Sequence, residues 1–216
     1  MSNIWKSVKL DFSLVEPYTK TILFALVLPS VFAAINRSLL TGISFAMCFM
    51  AMTTGYTFSV TERNSMERLY GILPVRKSEI VIGRYIFIII MGLIALLFSL
   101  IAHPILLVVL GETIRLSDIG NAAAMGIFLF ALYTVFLLPG YYKLGSIKGR
   151  MFLYIPAACF LATLSFITMD PAKNSTLFFT VIRFPAISVI LAIAAAAAMY
   201  ILSILVSVKI VQNKEM

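Results

Sequence analysis

The amino-acid sequence predicts an all-α membrane protein with six transmembrane helices, an N-terminal amphipathic interfacial helix and a short cytosolic helix between spans 2 and 3. The 216 residues are 62% hydrophobic with a mean hydropathy of +1.04, which is more apolar than an ordinary soluble domain. The apolar residues form runs long enough to cross a bilayer. Thirteen of the seventeen Lys and Arg fall on one side of these spans. We therefore expect a single membrane domain over residues 1–216.

Residues 1–17 are predicted to form a helix that lies at the membrane interface. Its apolar positions recur at helical spacing: Ile4, Trp5, Val8, Phe12 and Val15. Lys6, Lys9 and Asp11 are expected to lie away from this face. Trp5 is the expected interfacial anchor and Pro17 is expected to end the helix. The alternative is a short polar tail that merely precedes the first span.

The six spans are predicted at residues 20–35, 39–60, 85–110, 119–142, 151–169 and 185–208. Lys and Arg are enriched in the loops that precede span 1 and follow spans 2, 4 and 6, so both termini are predicted to be cytosolic. The external side keeps only Arg37, Arg115, Lys173 and Arg183. Because the basic residues are scattered between apolar runs, the net charge of +8 indicates membrane orientation and no nucleic-acid partner.

The segment 61–71 is the richest in charge, and we expect a helix there that begins at a Thr61 cap and ends at Gly71. Met66, Leu69 and Tyr70 would form one apolar patch. The patch is rimmed by charged residues: Glu62, Arg63, Glu67 and Arg68. A helix this short is marginal alone in water. It is therefore expected to dock in a groove on another protein or to lie on the membrane, and the residues favour neither.

A second cytosolic segment, residues 143–150, is predicted as a loop. It carries Lys143, Lys148 and Arg150 and no acid. On the external side, residues 170–183 are expected to form either a short re-entrant helix or a plain loop. In span 6, Ala192–Ala198 is nearly all small residues, which permits either contact with a second copy or close packing within the chain's own bundle.

Several function classes find no support in the sequence. No Asp, Glu, Lys or Arg falls in the middle of a predicted span, whereas ion-coupled carriers usually keep such groups there. His103 precedes Pro104 near the external end of span 3, and we expect its imidazole to bond a carbonyl freed by the proline, with a proton site as the alternative. No metal-ligand cluster or nucleophile–base pair is evident. Gly140 and Gly145 have phosphate-loop spacing, but Ser146 and Ile147 stand where Lys and Ser or Thr are required.

The segment between spans 2 and 3 resembles the corresponding segment of the ABC-2 type transporter permease family. The resemblance rests on Glu62…Glu67-Arg68-Leu69, Leu73-Pro74-Val75-Arg76 and Ile80-Val81-Ile82-Gly83-Arg84-Tyr85. Arg76 stands where the family often has a helix-capping Ser, so Ser78 is the alternative cap. The small size is similar to that of compact bacterial permeases, such as the permease of the phenol-soluble modulin exporter.

The resemblance implies an exporter of the bacterial cell membrane. Two permease copies, identical or paralogous, would form the pathway, and two separate subunits would bind ATP and Mg, with no cofactor on this chain. The segment between spans 2 and 3 would be a coupling helix that contacts the ATPase through Glu62, Arg63, Met66, Glu67, Arg68, Leu69 and Tyr70. Lys143, Lys148 and Arg150 would form a second contact. In the family, spans 1 and 5 are the expected dimer interface.

The expected solute is amphipathic or hydrophobic, such as a cytotoxic or antimicrobial peptide. Two alternatives remain open at this point. One is a membrane signalling or immunity subunit that transports nothing, and the other is a channel or secondary carrier.

Overall fold

The computed structural model describes residues 3–66, 75–155 and 185–213, and these residues are almost entirely helical. The helices are α1 (Asn3–Val15), α2 (Thr19–Asn36), α3 (Leu39–Thr53), α4 (Gly55–Arg63), α5 (Lys77–Val109), α6 (Leu116–Lys148) and α7 (Pro185–Asn213). Short 3-10 turns cover Glu16–Tyr18 and Gly149–Leu153. In the described ranges, five segments are long and apolar enough to span a membrane: Asn3–Asn36, Leu39–Arg63, Lys77–Val109, Leu116–Leu153 and Ala186–Asn213. The predicted span at 151–169 lies largely outside the described residues.

The helices share two ends, which we name by their charge. The basic end consists of residues 3–15, 57–66, 75–87, 141–155 and 203–213, and its parts are joined by contacts between α4 and α6 and between α5 and α7. At the opposite end, Arg37 and Glu112 form an exposed ion pair at 3.0 Å. The long helices therefore run between the basic end and an opposite end that has fewer charged residues.

The predicted span 39–60 is broken at Thr54 into α3 and α4. The Thr54 hydroxyl donates to the Ala51 carbonyl at 2.7 Å and the Thr57 hydroxyl donates to the Thr54 carbonyl at 2.8 Å. Such back-bonding bends helices. At Gly55, a Cβ would lie 2.8 Å from the Tyr141 hydroxyl, so the absence of a side chain lets α4 pack directly on α6.

Helix α5 begins at Lys77, well before the predicted start of span 3 at Tyr85. The Glu79 carboxylate accepts the Arg76 backbone N–H at 3.1 Å, and the Glu79 N–H donates to the Arg76 carbonyl at 2.9 Å. This reciprocal cap replaces the expected Ser78 cap. A helix of 33 residues is about 50 Å long and exceeds the ~30 Å hydrocarbon core. Its first turns therefore project beyond the core at the basic end.

Helix α7 is bound to the bundle by one face of small and hydroxyl-bearing residues: Ser188, Ala192, Ala196, Tyr200, Ser203 and Ser207. The Tyr85 hydroxyl lies 2.6 Å from the Ser203 hydroxyl and 2.8 Å from the Ser207 hydroxyl. Closer to the start of α7, on the same face, the Tyr200 hydroxyl lies 2.7 Å from the Thr134 hydroxyl. The buried part of the Ala192–Ala198 stripe therefore packs within the chain's own bundle.

The outward faces of the spans are apolar as well. On α7, Ile190, Leu202 and Leu205 are 65%, 65% and 63% exposed, and on α5 Leu97 is 61% exposed. Contiguous apolar exposure of this extent is unfavourable in water and matches contact with lipid tails. The structure thus agrees with the composition in making the bilayer the solvent of this bundle.

Candidate functional site at the basic end

A buried ion pair lies at the centre of the basic end. The Arg84 guanidinium forms a fork on the Asp11 carboxylate, with Nη2 3.1 Å from Oδ1 and Nε 3.3 Å from Oδ2. The two side chains are only 4% and 3% exposed. Bidentate geometry is the strongest form of this interaction and fixes the relative orientation of both groups. The pair therefore locks α1 to α5.

Arg84 also contacts α4. Its Nη2 donates to the Thr61 hydroxyl at 3.2 Å, and its guanidinium carbon lies 4.5 Å from the centre of the Phe58 ring. The Thr61 hydroxyl donates in turn to the Thr57 carbonyl at 2.7 Å. The cation is thus held by a carboxylate of α1 and by a hydroxyl and an aromatic face of α4, which offsets the cost of removing it from water.

Helix α1 lies alongside the first turns of α5 and runs parallel to them. The Asn3 amide donates to the Glu79 carboxylate at 3.3 Å, and the Phe12 and Phe87 rings meet edge to face at 4.8 Å. Between these contacts, a Cβ on Gly83 would lie 2.7 Å from the Ser7 Cβ, so a side chain at position 83 would push the helices apart. Glycine is required here for close approach.

The predicted phase of α1 is wrong for both Trp5 and Asp11, because Trp5 is 49% exposed whereas Asp11 is 2% exposed and lies on the buried face with Val8 and Val15. The signal was available in the spacing. Asp11 follows Val8 by three residues and precedes Val15 by four, which places all three on one helical face. An acid on a buried apolar face requires a partner, and the fold supplies Arg84.

Glu62 joins the two charged segments of the basic end. Its Oε2 accepts the Ser146 backbone N–H at 2.8 Å. Residue Gly145 has φ 80° and ψ 179°, which interrupts α6 just before this contact. Glu62 therefore caps the short helical turn that begins at Ser146. The prediction of a loop at 143–150 is wrong, because this cap and Gly145 produce a break followed by a new turn that ends at Lys148.

The turn after α6 folds back on its own helix. A Cβ on Gly140 would lie 2.7 Å from the Phe152 ring, and one on Gly149 would lie 2.6 Å from the Tyr141 ring. Tyr141 also packs against Phe58 of α4, with ring centres 4.9 Å apart. Glycines thus permit the close packing that fixes the position of the second charged segment.

The other residues predicted for partner contact have different outcomes. Arg63, Lys143, Lys148 and Arg150 are exposed and Met66 is partly buried. Glu67, Arg68, Leu69 and Tyr70 lie outside the described residues. The expected helix start at Thr61 is wrong, because Thr61 lies inside α4, which ends at Arg63, and Ser65 follows with φ 50°.

His103 differs from its expected environment. The imidazole is fully buried, and neither nitrogen has a hydrogen-bond partner, so the predicted bond to a freed carbonyl is not made. A Cβ on Gly42 would lie 3.2 Å from His103 Nδ1, which shows that the ring occupies the space left by that glycine. Among the residues that the structure describes, no group of His, Cys, Asp and Glu could hold a metal ion.

At the basic end, α1, α4 and α5 are thus fixed to one another by Arg84, and the end of α4 is fixed by Glu62 to the turn that follows Gly145. No curated protein and no solved structure gives a significant match. A family model described as "ABC-2 family transporter protein" matches residues 8–212, which includes every contact described above except that of Asn3 and Ser7 with α5. The chain therefore belongs to the ABC-2 family of transporter membrane proteins.

Proposed function

We propose that this permease is the membrane subunit of an ATP-driven exporter and that its ATPase docks on the basic end. ABC-2 permeases have no ATPase activity of their own and generally pair with ATP-binding subunits. ATP and Mg would be bound by that partner. This chain would then supply the path through the membrane and the surface on which the ATPase docks. Motion of the ATPase would change the conformation of the permease through that surface.

The bond between Glu62 and Ser146 is the observation that carries this proposal. It holds the end of α4, where the first charged segment begins, against the turn that follows Gly145. On the two charged segments, Arg63, Lys148 and Arg150 are exposed. Exposed cations held on a rigid base suit a partner with an acidic docking site.

The contact residues follow from this surface. The first contact would be made by Glu62, Arg63, Met66, Glu67, Arg68, Leu69 and Tyr70. Glu62 would act there chiefly by holding the second segment in place. The second contact would be made by Lys143, Lys148 and Arg150. Closure of the ATPases on ATP would displace both contacts together, because the Glu62 carboxylate links them.

We propose six spans with both termini in the cytosol of a bacterial cell. The charge distribution supports the orientation. Helix α6 ends at the basic end, whereas α7 begins at the opposite end, where Ser188 bonds Asn121 at 3.1 Å. The proposed span 151–169 would connect these two ends. Two permeases and two ATPases would complete the transporter.

The proposed solute is amphipathic or hydrophobic, such as a cytotoxic or antimicrobial peptide of the phenol-soluble modulin type. Support comes from a cavity of about 430 Å³ between α3, α5, α6 and α7. Its lining carries no charge and includes Met47, Gly92, Leu96, Phe130 and Tyr200. The Tyr200 hydroxyl is bound to Thr134, so the aromatic ring remains as the surface offered to a solute.

The test is co-expression of the permease with the products of its neighbouring genes, which we expect to include an ATP-binding subunit, followed by purification and measurement of ATP hydrolysis in lipid. We expect the two chains to purify together. Glu67→Arg and Arg68→Glu should abolish the stimulation of ATP hydrolysis by the permease and leave membrane insertion intact. Arg115→Glu, on the opposite side of the predicted membrane, is the matched control and should change nothing. Failure to co-purify, or full stimulation by both variants, would contradict the proposal.

A further inference from the structure

We infer that Arg84 is a positioning residue that makes α1, α4 and the start of α5 move as one body when the ATPase acts. The inference rests on the proposed function. It assigns a role to the buried ion pair. In the sequence analysis, Arg84 is only one of the thirteen basic residues on the predicted cytosolic side. It also changes the role of α1 from a membrane anchor to a part of the moving assembly.

The first step concerns the position of Arg84 in the chain. The charged segment leaves the bundle after Thr61 and returns to it at α5, and Arg84 Nη2 donates to the Thr61 hydroxyl at 3.2 Å. The guanidinium thus ties together the two points between which the segment is attached. A force on the segment is therefore shared between α4 and α5.

The second step concerns α1. Arg84 holds Asp11 by two hydrogen bonds of 3.1 and 3.3 Å, and Gly83 allows backbone-close contact with Ser7 beside them. The other side of α1 exposes Trp5, Lys6 and Lys9, which suit an anionic membrane surface. Displacement of α5 therefore carries α1 with it.

The third step is the choice of side chain. Arg84 uses Nε and Nη2 on Asp11, shares Nη2 with Thr61 and presents its face to Phe58 at 4.5 Å. A lysine ammonium keeps the charge but has no rigid fork and no flat face, so it cannot hold all three groups in this geometry. Charge alone is therefore insufficient for the role. Arg84→Lys keeps a positive charge beside Asp11 but removes the geometry that positions α1 and α4.

The experiment uses the full permease bound to its ATP-binding subunit in lipid nanodiscs. Cys48 and Cys159 are replaced by Ser, and Asn3→Cys with Glu79→Cys provides a cross-linking pair where α1 meets α5. Cross-linking by a short bismaleimide is measured without nucleotide and after trapping with ATP and vanadate. The ATP hydrolysis rate is measured in parallel for Arg84, Arg84→Lys and Arg84→Gln. Arg37→Gln, which removes the exposed pair at the opposite end, is the control.

With Arg84 and in the control, we expect equal cross-linking in both nucleotide states. In Arg84→Lys and Arg84→Gln, cross-linking should fall after trapping, and the permease-dependent part of ATP hydrolysis should be lost while the ATPase remains bound. Unchanged cross-linking and hydrolysis in both variants would overturn the inference and leave the proposed function intact. Loss of the bound ATPase in the Arg84 variants alone would also overturn it, because Arg84 would then support docking instead of motion. If the unsubstituted permease binds no ATPase, the proposed function itself fails.

Discussion

Gly145→Ala tests the link between the two charged segments most sharply. The residue has φ 80° and ψ 179°, a conformation that is essentially restricted to glycine and costs another residue about 1–3 kcal/mol. In addition, a Cβ would lie 3.1 Å from Glu62 Oε1, so the carboxylate has to shift. We assign about 1 kcal/mol to the weakened bond with Ser146, at the low end of charged hydrogen bonds because Glu62 is exposed.

The total penalty is therefore about 2–4 kcal/mol for this arrangement, which lowers its population relative to alternatives about 30- to 1,000-fold. The cheapest alternative is a turn after Gly145 that is released from Glu62. This change moves Lys148 and Arg150 away from α4 and leaves the membrane-embedded core unaltered. The variant should therefore insert and fold normally.

Hydrogen–deuterium exchange of the peptide spanning residues 141–155 measures the effect, together with ATP hydrolysis of the complex. We expect faster exchange of the Ser146 amide, because it loses its acceptor, and reduced stimulation of the ATPase. Gly111→Ala is the matched control, since Gly111 also has a positive φ of 85° but has nothing within 4 Å of its Cβ position. Wild-type exchange and hydrolysis in Gly145→Ala, or equal defects in both variants, would refute the reasoning.

Three further predictions concern stability, each measured by thermal unfolding of the purified protein in detergent. Tyr85→Phe removes the hydroxyl bonded to two serines of α7 at 2.6 and 2.8 Å and should cost about 1–2 kcal/mol; an unchanged melting temperature would show that α7 does not depend on these bonds. Gly92→Ala places a Cβ 2.4 Å from the Phe130 ring and should cost about 1–3 kcal/mol by overpacking; a stabilised variant would mean that the ring moves freely into the cavity. Asp11→Asn leaves a buried cation unpaired and should cost about 3–5 kcal/mol, whereas Glu112→Gln at the exposed pair should cost under about 1 kcal/mol; equal effects would contradict the burial of the Asp11 pair.

The sequence predicts the helices well where hydropathy decides the structure. Spans 1, 4 and 6 fall within α2, α6 and α7, and span 3 falls within α5 except for Leu110. Span 2 is divided between α3 and α4, and the segment before Pro17 is a separate helix. The ends are less well predicted, since α5 begins at Lys77. That start depends on the reciprocal bonds of Arg76 and Glu79. Hydropathy cannot predict it, because the first turns of α5 are polar and extend the helix beyond the membrane-spanning segment.

The charged segments of the candidate site can be read from the sequence, but the bonds that join them cannot. Residues 61–84 and 143–150 can be identified as charged segments because clusters of Lys, Arg, Asp and Glu are visible along the chain. The bond from Glu62 to Ser146 and the ion pair of Asp11 with Arg84 join residues far apart in sequence, and only the packing of α1 and α6 against α4 and α5 brings them together. Helical phase could have placed Asp11 inward, but its partner could not be identified without the fold.

Site-specific photo-cross-linking in cells tests the central claim most directly. A photoreactive amino acid is placed at Arg63 or Lys148, which are exposed at the basic end, and at Leu116, which is 84% exposed at the opposite end. With the ATP-binding subunit co-expressed, the account predicts an adduct between the two chains from Arg63 and Lys148 and none from Leu116. An adduct from Leu116, or none from the two basic-end positions while the complex co-purifies, would contradict docking on this surface.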